Sequence, residues 1–152
     1  MNLTKKITSL LILLSAFNLS ISAQCKSLVK KNMPKLSPFT HNGQLNSTAL
    51  PEGGVADFKI TCYKGLTYRL AVAADESLGK VIFKVLDEDN NEVYNSSENS
   101  NSGSWDFNVG SSQELTVEIS VPLASKSVKG CVALLVGFKE PKSSGSSSLR
   151  PM

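Results

Sequence analysis

Few side chains in this sequence have the types and spacing that enzymatic chemistry requires. The chain of 152 residues holds a single histidine, His41, in a Pro/Asn/Gly-rich segment with no carboxylate or nucleophile beside it. The signatures of serine hydrolases, zinc peptidases, phosphate-binding loops and C-x-x-C redox proteins do not occur. We therefore interpret His41 as a surface loop residue, and the sequence predicts no cofactor.

One stretch has oxygen-bearing side chains at the spacing of a calcium-binding loop. Its positions one, three, five and twelve are Asp87, Asp89, Asn91 and Glu98. Position six is Glu92, where the bend of such a loop requires glycine. A hairpin turn explains the same residues without a metal, because Asp and Asn tolerate the backbone conformations of tight turns. The interpretation favours the turn, with calcium as the alternative.

The three cysteines bear on the compartment of the protein and on whether a disulfide stabilises its fold. Cys62 shares a strand face with Phe58 and Ile60, which predicts a buried, unreactive thiol. Cys25 and Cys131 lie at the ends of predicted elements, so their side chains could meet. We expect a disulfide between Cys25 and Cys131, with a Cys25–Cys62 bridge as the alternative.

The N-terminus has the three parts of a secretion signal. Lys5 and Lys6 precede an apolar run over residues 7–19, and small residues then lead to Ala23. The run is too short to cross a membrane as a helix, so no transmembrane anchor is predicted. Gln24 stands where a lipoprotein signal requires a small residue before the cysteine. We therefore expect cleavage after Ala23, no lipid on Cys25, and a secreted or periplasmic protein.

Apolar residues that alternate with polar ones indicate the elements that must position these groups. After a short helix from Cys25 to Met33, ended by Pro34, and an extended lead-in with an edge strand around residues 43–49, the period becomes two. The predicted strands are residues 56–63, 67–74, 80–87, 92–95, 104–109, 114–121 and 130–139. The last is apolar on both faces and should be central in its sheet.

The pattern predicts an all-β protein, an antiparallel, jelly-roll-like β-sandwich of seven or eight strands with a short N-terminal helical segment. The expected organisation is a signal peptide (1–23), the helical segment and lead-in (24–54), the sandwich core (55–139) and a disordered Ser/Gly tail (140–152).

Charge is unevenly distributed along the chain. Residues 26–35 hold four lysines and no acid, whereas residues 52–118 hold 12 acids against five bases. Basic ends that fold back onto an acidic body would explain this, and a basic patch for an anionic surface is the alternative. The lysines have no aromatic residues among them, which argues against a nucleic-acid partner.

Four stretches carry a resemblance to known proteins: G65-LTYRLAVA, L78-GKVIFKVLDEDNNEVY, S104-WDF and G130-CVALLVGFK. They resemble small, exported, uncharacterised β-sandwich proteins of Gram-negative bacteria, and more loosely the jelly-roll-like pre-peptidase C-terminal domain. The resemblance spans about residues 25–139. It implies a fold and an exported location but no activity.

Two classes of function remain. The first is an exported, non-catalytic module that binds an envelope protein or a glycan, with Tyr63, Tyr94 and Trp105 as candidate exposed aromatic contacts. Packing in the core is the alternative for these aromatics, and it is favoured for Trp105, which alternates with Phe107. The alternatives are a secreted enzyme inhibitor, or a hydrolase or other enzyme with a carboxylate site. The candidate carboxylates of such a site are Asp75, Glu76, Asp87 and Asp89.

Overall fold

Two antiparallel β-sheets face each other, and one helix packs on the outside of the first sheet. The computed structural model describes residues 19–124 and 128–141. The N-terminal elements are α1 (Leu19–Asn32), a 3₁₀ turn (Met33–Leu36), β1 (Thr40–His41) and β2 (Asn46–Pro51). The remaining elements are β3 (Val55–Cys62), β4 (Thr67–Ala74), a 3₁₀ turn (Glu76–Leu78), β5 (Ile82–Leu86), β6 (Glu92–Asn95), β7 (Ser104–Asn108), β8 (Gln113–Ser120) and β9 (Lys129–Lys139).

Strand β9 is central in the first sheet and pairs with three other strands. It pairs with β1 and β2 along one side and with β4 along the other, and β7 pairs with the far side of β4. The second sheet has the order β3-β8-β5-β6. The central place of β9 confirms the expectation from its apolar faces, because a strand covered on both sides has no solvent-facing row to fill with polar residues.

The core lies between the sheets and follows the period-two pattern of the strands. Ile60, Leu70, Phe83, Val117 and Leu134 are among its fully buried side chains. Each such side chain contributes roughly 1.5–3 kcal/mol by leaving water. The all-β sandwich predicted from the alternation is confirmed.

A second, smaller cluster explains why α1 packs outside the first sheet. The outer face of β4 and β9 presents small side chains, Ala71, Ala73 and Ala133, which let a helix approach closely. Val29 of α1 is buried against them. Lys26 and Lys30 directly follow the buried residues Cys25 and Val29 in the sequence, and both point away from the sheet and are exposed to solvent.

A disulfide ties α1 to this sheet. Cys25 and Cys131 are bonded, with their Cα atoms 5.2 Å apart. This is the pairing favoured from the sequence. The bridge closes a loop of 106 residues, for which chain entropy gives at most about 4 to 5 kcal/mol of stabilisation.

Arg69 on β4 ties the lead-in to the same sheet. Its guanidinium donates two hydrogen bonds of 2.7 Å to Asp106 of β7 and one of 2.9 Å to the carbonyl of Ser37. It also lies 4.6 Å from the ring centre of Phe39. The hydrogen bond to Asp106 raises the pKa of Arg69.

One expectation needs adjustment, and two others concern residues that the structure does not describe. The described residues contain nine strands rather than seven or eight, because the lead-in adds two strands to β9 where one was expected. The proposed signal segment before Leu19 and most of the predicted tail, residues 142–152, lie outside the described residues. No helix within residues 19–124 and 128–141 is long and apolar enough to cross a membrane.

Candidate functional site

A groove lies where an edge of the first sheet meets an edge of the second. Its volume is about 320 Å³. The residues between β1 and β2 form one wall, and the end of β3 forms the other. We call it the edge groove, and its lining residues are Asn42, Gln44, Thr61, Tyr63, Leu66, Tyr68 and Phe138.

Tyr63 stands at the rim of this groove on a rigid support. The residue directly follows β3, and its backbone N–H donates to the Tyr68 hydroxyl at 3.0 Å. Tyr68 is buried and packs against Phe107, with ring centres 5.9 Å apart. Gly65, at φ 85°, allows the tight turn back into β4. Tyr63 is 60% exposed, so its backbone is held in place while its ring is free to contact a partner.

The opposite wall is a short loop braced by its own amides. The Asn42 side chain donates to Gln44 Oε1 at 2.9 Å and accepts from the Gln44 backbone N–H at 3.0 Å. His41 Nδ1 accepts from the Gly43 N–H at 3.1 Å. His41 therefore braces the loop rather than standing free in it. Within the described residues, His41 Nε2 and Asn46 Nδ2 are buried without a hydrogen-bond partner.

The chemistry of this lining suits binding rather than catalysis. Its polar groups are amides and hydroxyls, and the described residues that line it include no carboxylate, cysteine or cationic side chain. Such a surface offers hydrogen bonds and an aromatic face, but it has no group to act as a general base or nucleophile at neutral pH. Tyr63 is the groove residue that the sequence analysis singled out.

The other two aromatic candidates lie in a stacked column. Tyr94 is buried, so the expectation that it is an exposed contact is wrong. Its ring lies 5.1 Å from that of Phe83 and 4.7 Å from that of Trp105. Trp105 is half-buried and stacks on Phe107 at 4.3 Å. These rings fill the space between β6 and β7, the edge strands of the two sheets. Alternation within one strand does not show which edge strands meet, so it could not predict this stack.

The four candidate carboxylates are divided between the two ends of the sandwich. Asp75 follows the last residue of β4 and accepts a 2.7 Å hydrogen bond from the Cys131 N–H, and Glu76 comes next. Asp87 and Asp89 lie in the β5–β6 turn, beside Ser112. The Ser112 hydroxyl accepts a 2.9 Å hydrogen bond from the backbone N–H of Lys64, which precedes β4, so this turn lies near the start of β4 whereas Asp75 lies at its end. The length of β4 separates the pairs, so they do not form one catalytic site.

The suspected calcium loop is a hairpin turn. Asp87 Oδ1 accepts from the backbone N–H groups of Asp89 and Asn91, at 3.0 and 2.8 Å, and Oδ2 accepts from the Asn91 side chain. The Asn91 side-chain bond, followed by the backbone bonds, lowers the pKa of Asp87. Glu98 lies beyond the opposite end of β6, so the twelve-residue loop does not form. Within the described residues no three His, Cys, Asp or Glu side chains group as metal ligands do.

Asn42, Gln44 and Thr61 are groove residues that sequence reasoning missed. Asn42 and Gln44 lie in the predicted extended lead-in, Thr61 lies in the predicted strand of residues 56–63, and none of the three belongs to a recognisable motif. The feature that brings Asn42 and Gln44 to the groove is the loop between β1 and β2, two strands that both pair with β9. That pairing is visible only in three dimensions.

Comparisons with known proteins match the fold. No family model and no curated protein matches the sequence, so the resemblance to pre-peptidase C-terminal domains has no support. A solved structure does match: Aeromonas hydrophila PliG, a periplasmic lysozyme inhibitor of g-type lysozyme. The match has a TM-score of 0.50 and 11% identity, and it covers 67% of this chain and 89% of that chain. The similarity is one of fold.

Proposed function

We propose that the protein is an exported, non-catalytic binding module that inhibits a g-type lysozyme through the edge groove. The observation that carries the proposal is the uncharged groove with Tyr63 held exposed at its rim. A ring on a rigid support loses little conformational entropy on binding, and such tyrosines are frequent hot spots of protein interfaces. The structural likeness to an inhibitor of g-type lysozyme supports the choice of partner.

Export is part of the proposal. The secretion signal in the sequence supports it, and so does the disulfide, because such bridges persist in oxidising compartments such as the periplasm. A module that acts outside the cytoplasm would meet cell-wall enzymes there.

The test is inhibition of a purified g-type lysozyme on bacterial cell walls. We expect the wild-type protein to inhibit, and Tyr63→Ala to weaken inhibition by about tenfold or more, because truncation of an interface hot spot typically costs 2 kcal/mol or more. The matched control is Leu123→Ala. Leu123 is 79% exposed and lies at the other end of the sandwich, beside Gly53. This control should inhibit like the wild type.

Each result identifies which part of the proposal fails. Absence of inhibition by the wild type would reject g-type lysozyme as the target. Equal inhibition by Tyr63→Ala and the wild type would reject the edge groove. Tight binding of the wild type to cell-wall glycan without enzyme would instead favour the glycan as ligand.

A further inference from the structure

The outer side of α1 carries a row of exposed lysines. Because Cys25 and Val29 are buried against the first sheet, the next residues along the helix face outward. The exposed lysines on α1 and the 3₁₀ turn that follows it are Lys26, Lys30, Lys31 and Lys35, and we call them the basic helix face. The first acidic residue of the sequence is Glu52, so no acid on α1 offsets this charge.

These lysines have no acidic partners within the described residues. The ion pairs found there are Lys59–Glu114, Arg69–Asp106 and Lys84–Glu92. None includes a lysine of the basic helix face. A basic N-terminal segment that folds back to neutralise an acidic body would have produced such pairs, so the described residues favour the alternative from the sequence, a basic patch.

The far side of the molecule carries the opposite charge. The outer face of the second sheet and its adjoining turn hold Asp57, Asp87, Glu88, Asp89, Glu92, Glu114 and Glu118. The two lysines on that face, Lys59 and Lys84, are each paired with one of these acids. Since α1 covers the outer face of the first sheet, the basic and acidic faces are separated by the full thickness of the sandwich.

We propose that the basic helix face docks the protein onto a membrane surface rich in anionic phospholipids. The lysines lie on a convex helix rather than along a groove, which fits a flat surface better than a polymer chain. None of the exposed large apolar side chains lies on residues 24–32, the part of α1 whose side chains the structure describes, so attachment is electrostatic and superficial. The acidic face is repelled by the same surface, which orients the molecule with α1 toward the lipid.

This docking is independent of the proposed inhibition. The edge groove lies at the side of the sandwich, between the two sheets, so it stays accessible when α1 faces the lipid. Tyr63→Ala should therefore bind vesicles like the wild type.

The first test is sedimentation with vesicles of phosphatidylglycerol and phosphatidylcholine, compared with phosphatidylcholine alone. We expect binding only to the anionic vesicles, and its loss between about 0.02 and about 0.5 M salt, as the screening length shrinks. Each lysine near an anionic surface strengthens binding about fivefold, so Lys30→Gln with Lys31→Gln should weaken it roughly 20- to 30-fold.

The control pair is Lys59→Gln with Lys84→Gln, which removes the same charge from the acidic face. It should leave vesicle binding close to the wild-type level, because these lysines lie on the face turned away from the lipid. Equal losses in the two pairs would show that net charge alone is sensed and would overturn the proposal. So would binding to a soluble polyanion without binding to anionic vesicles.

A second measurement needs no variant. Amine-reactive labelling of vesicle-bound wild-type protein should protect Lys26, Lys30, Lys31 and Lys35, while Lys59 and Lys84 stay as reactive as in free protein. Equal protection of both sets, or of neither, would contradict docking through α1.

Discussion

At the scale of single residues, Cys62 carries a thiol with pH-dependent consequences. The side chain is fully buried in the core, outside the disulfide, and burial raises its pKa to about 12. An unfolded thiol ionises near pH 8.5. Between these values the unfolded state has lost a proton that the folded state retains, so the stability that the neutral thiol provides falls as pH rises.

We therefore expect the free energy of unfolding to fall by about 2–3 kcal/mol between pH 8 and pH 11 through Cys62. Chemical denaturation of the wild type and Cys62→Ala at both pH values measures this, because the variant keeps every other titrating group. The decrease should be smaller in Cys62→Ala by about that amount. Identical decreases in the two proteins would contradict the assignment.

At the scale of elements, the contact of the N-terminal segment with β9 depends on Gly137. A Cβ added there would lie 2.8 Å from Cβ of Phe39 and 3.2 Å from Cδ2 of Leu36. Both neighbours are buried in the packed segment that follows α1, so they have little room to move. Gly137→Ala should lower the free energy of unfolding by about 1–3 kcal/mol, the usual cost of overpacking.

Gly110→Ala is the matched control for this substitution. No atom lies within 4 Å of a Cβ placed at Gly110, which is exposed. Denaturation midpoints of the two variants give the comparison. If Gly137→Ala is as stable as Gly110→Ala, the segment after α1 is not packed on β9 as described.

At the scale of the whole molecule, the disulfide links the helix layer to the first sheet close to the predicted mature N-terminus. Cleavage after Ala23 would leave Gln24 as the first residue, next to the disulfide at Cys25. We expect the intact mass of the exported protein to equal that of Gln24–Met152 less two hydrogens. Peptide mapping without reduction should recover Cys25 linked to Cys131, with Cys62 free. A lipid increment on Cys25 or a linked Cys62 peptide would contradict this prediction.

Local patterns in the sequence determined most of the elements. Alternation of apolar and polar residues placed β3 to β9 within a few residues, since one face of each strand must leave water. The two apolar faces of β9 indicated its central position, and Pro34 marked the end of α1. The strand face that Cys62 shares with Phe58 and Ile60 favoured the Cys25–Cys131 disulfide over the Cys25–Cys62 alternative, and the structure decided between them.

Only the tertiary structure decided which surface groups come together. The edge groove joins Asn42 and Gln44 to Tyr63 because the lead-in pairs with β9, a contact across about ninety residues that no local pattern encodes. Tyr94 is packed rather than exposed because the edge strands of two different sheets meet there, which brings its ring onto that of Trp105. Separation of the basic and acidic faces likewise depends on α1 covering one sheet while the acids lie outside the other. Local alternation tells which residues leave water, but the relative placement of the sheets decides which of the remaining residues share a surface.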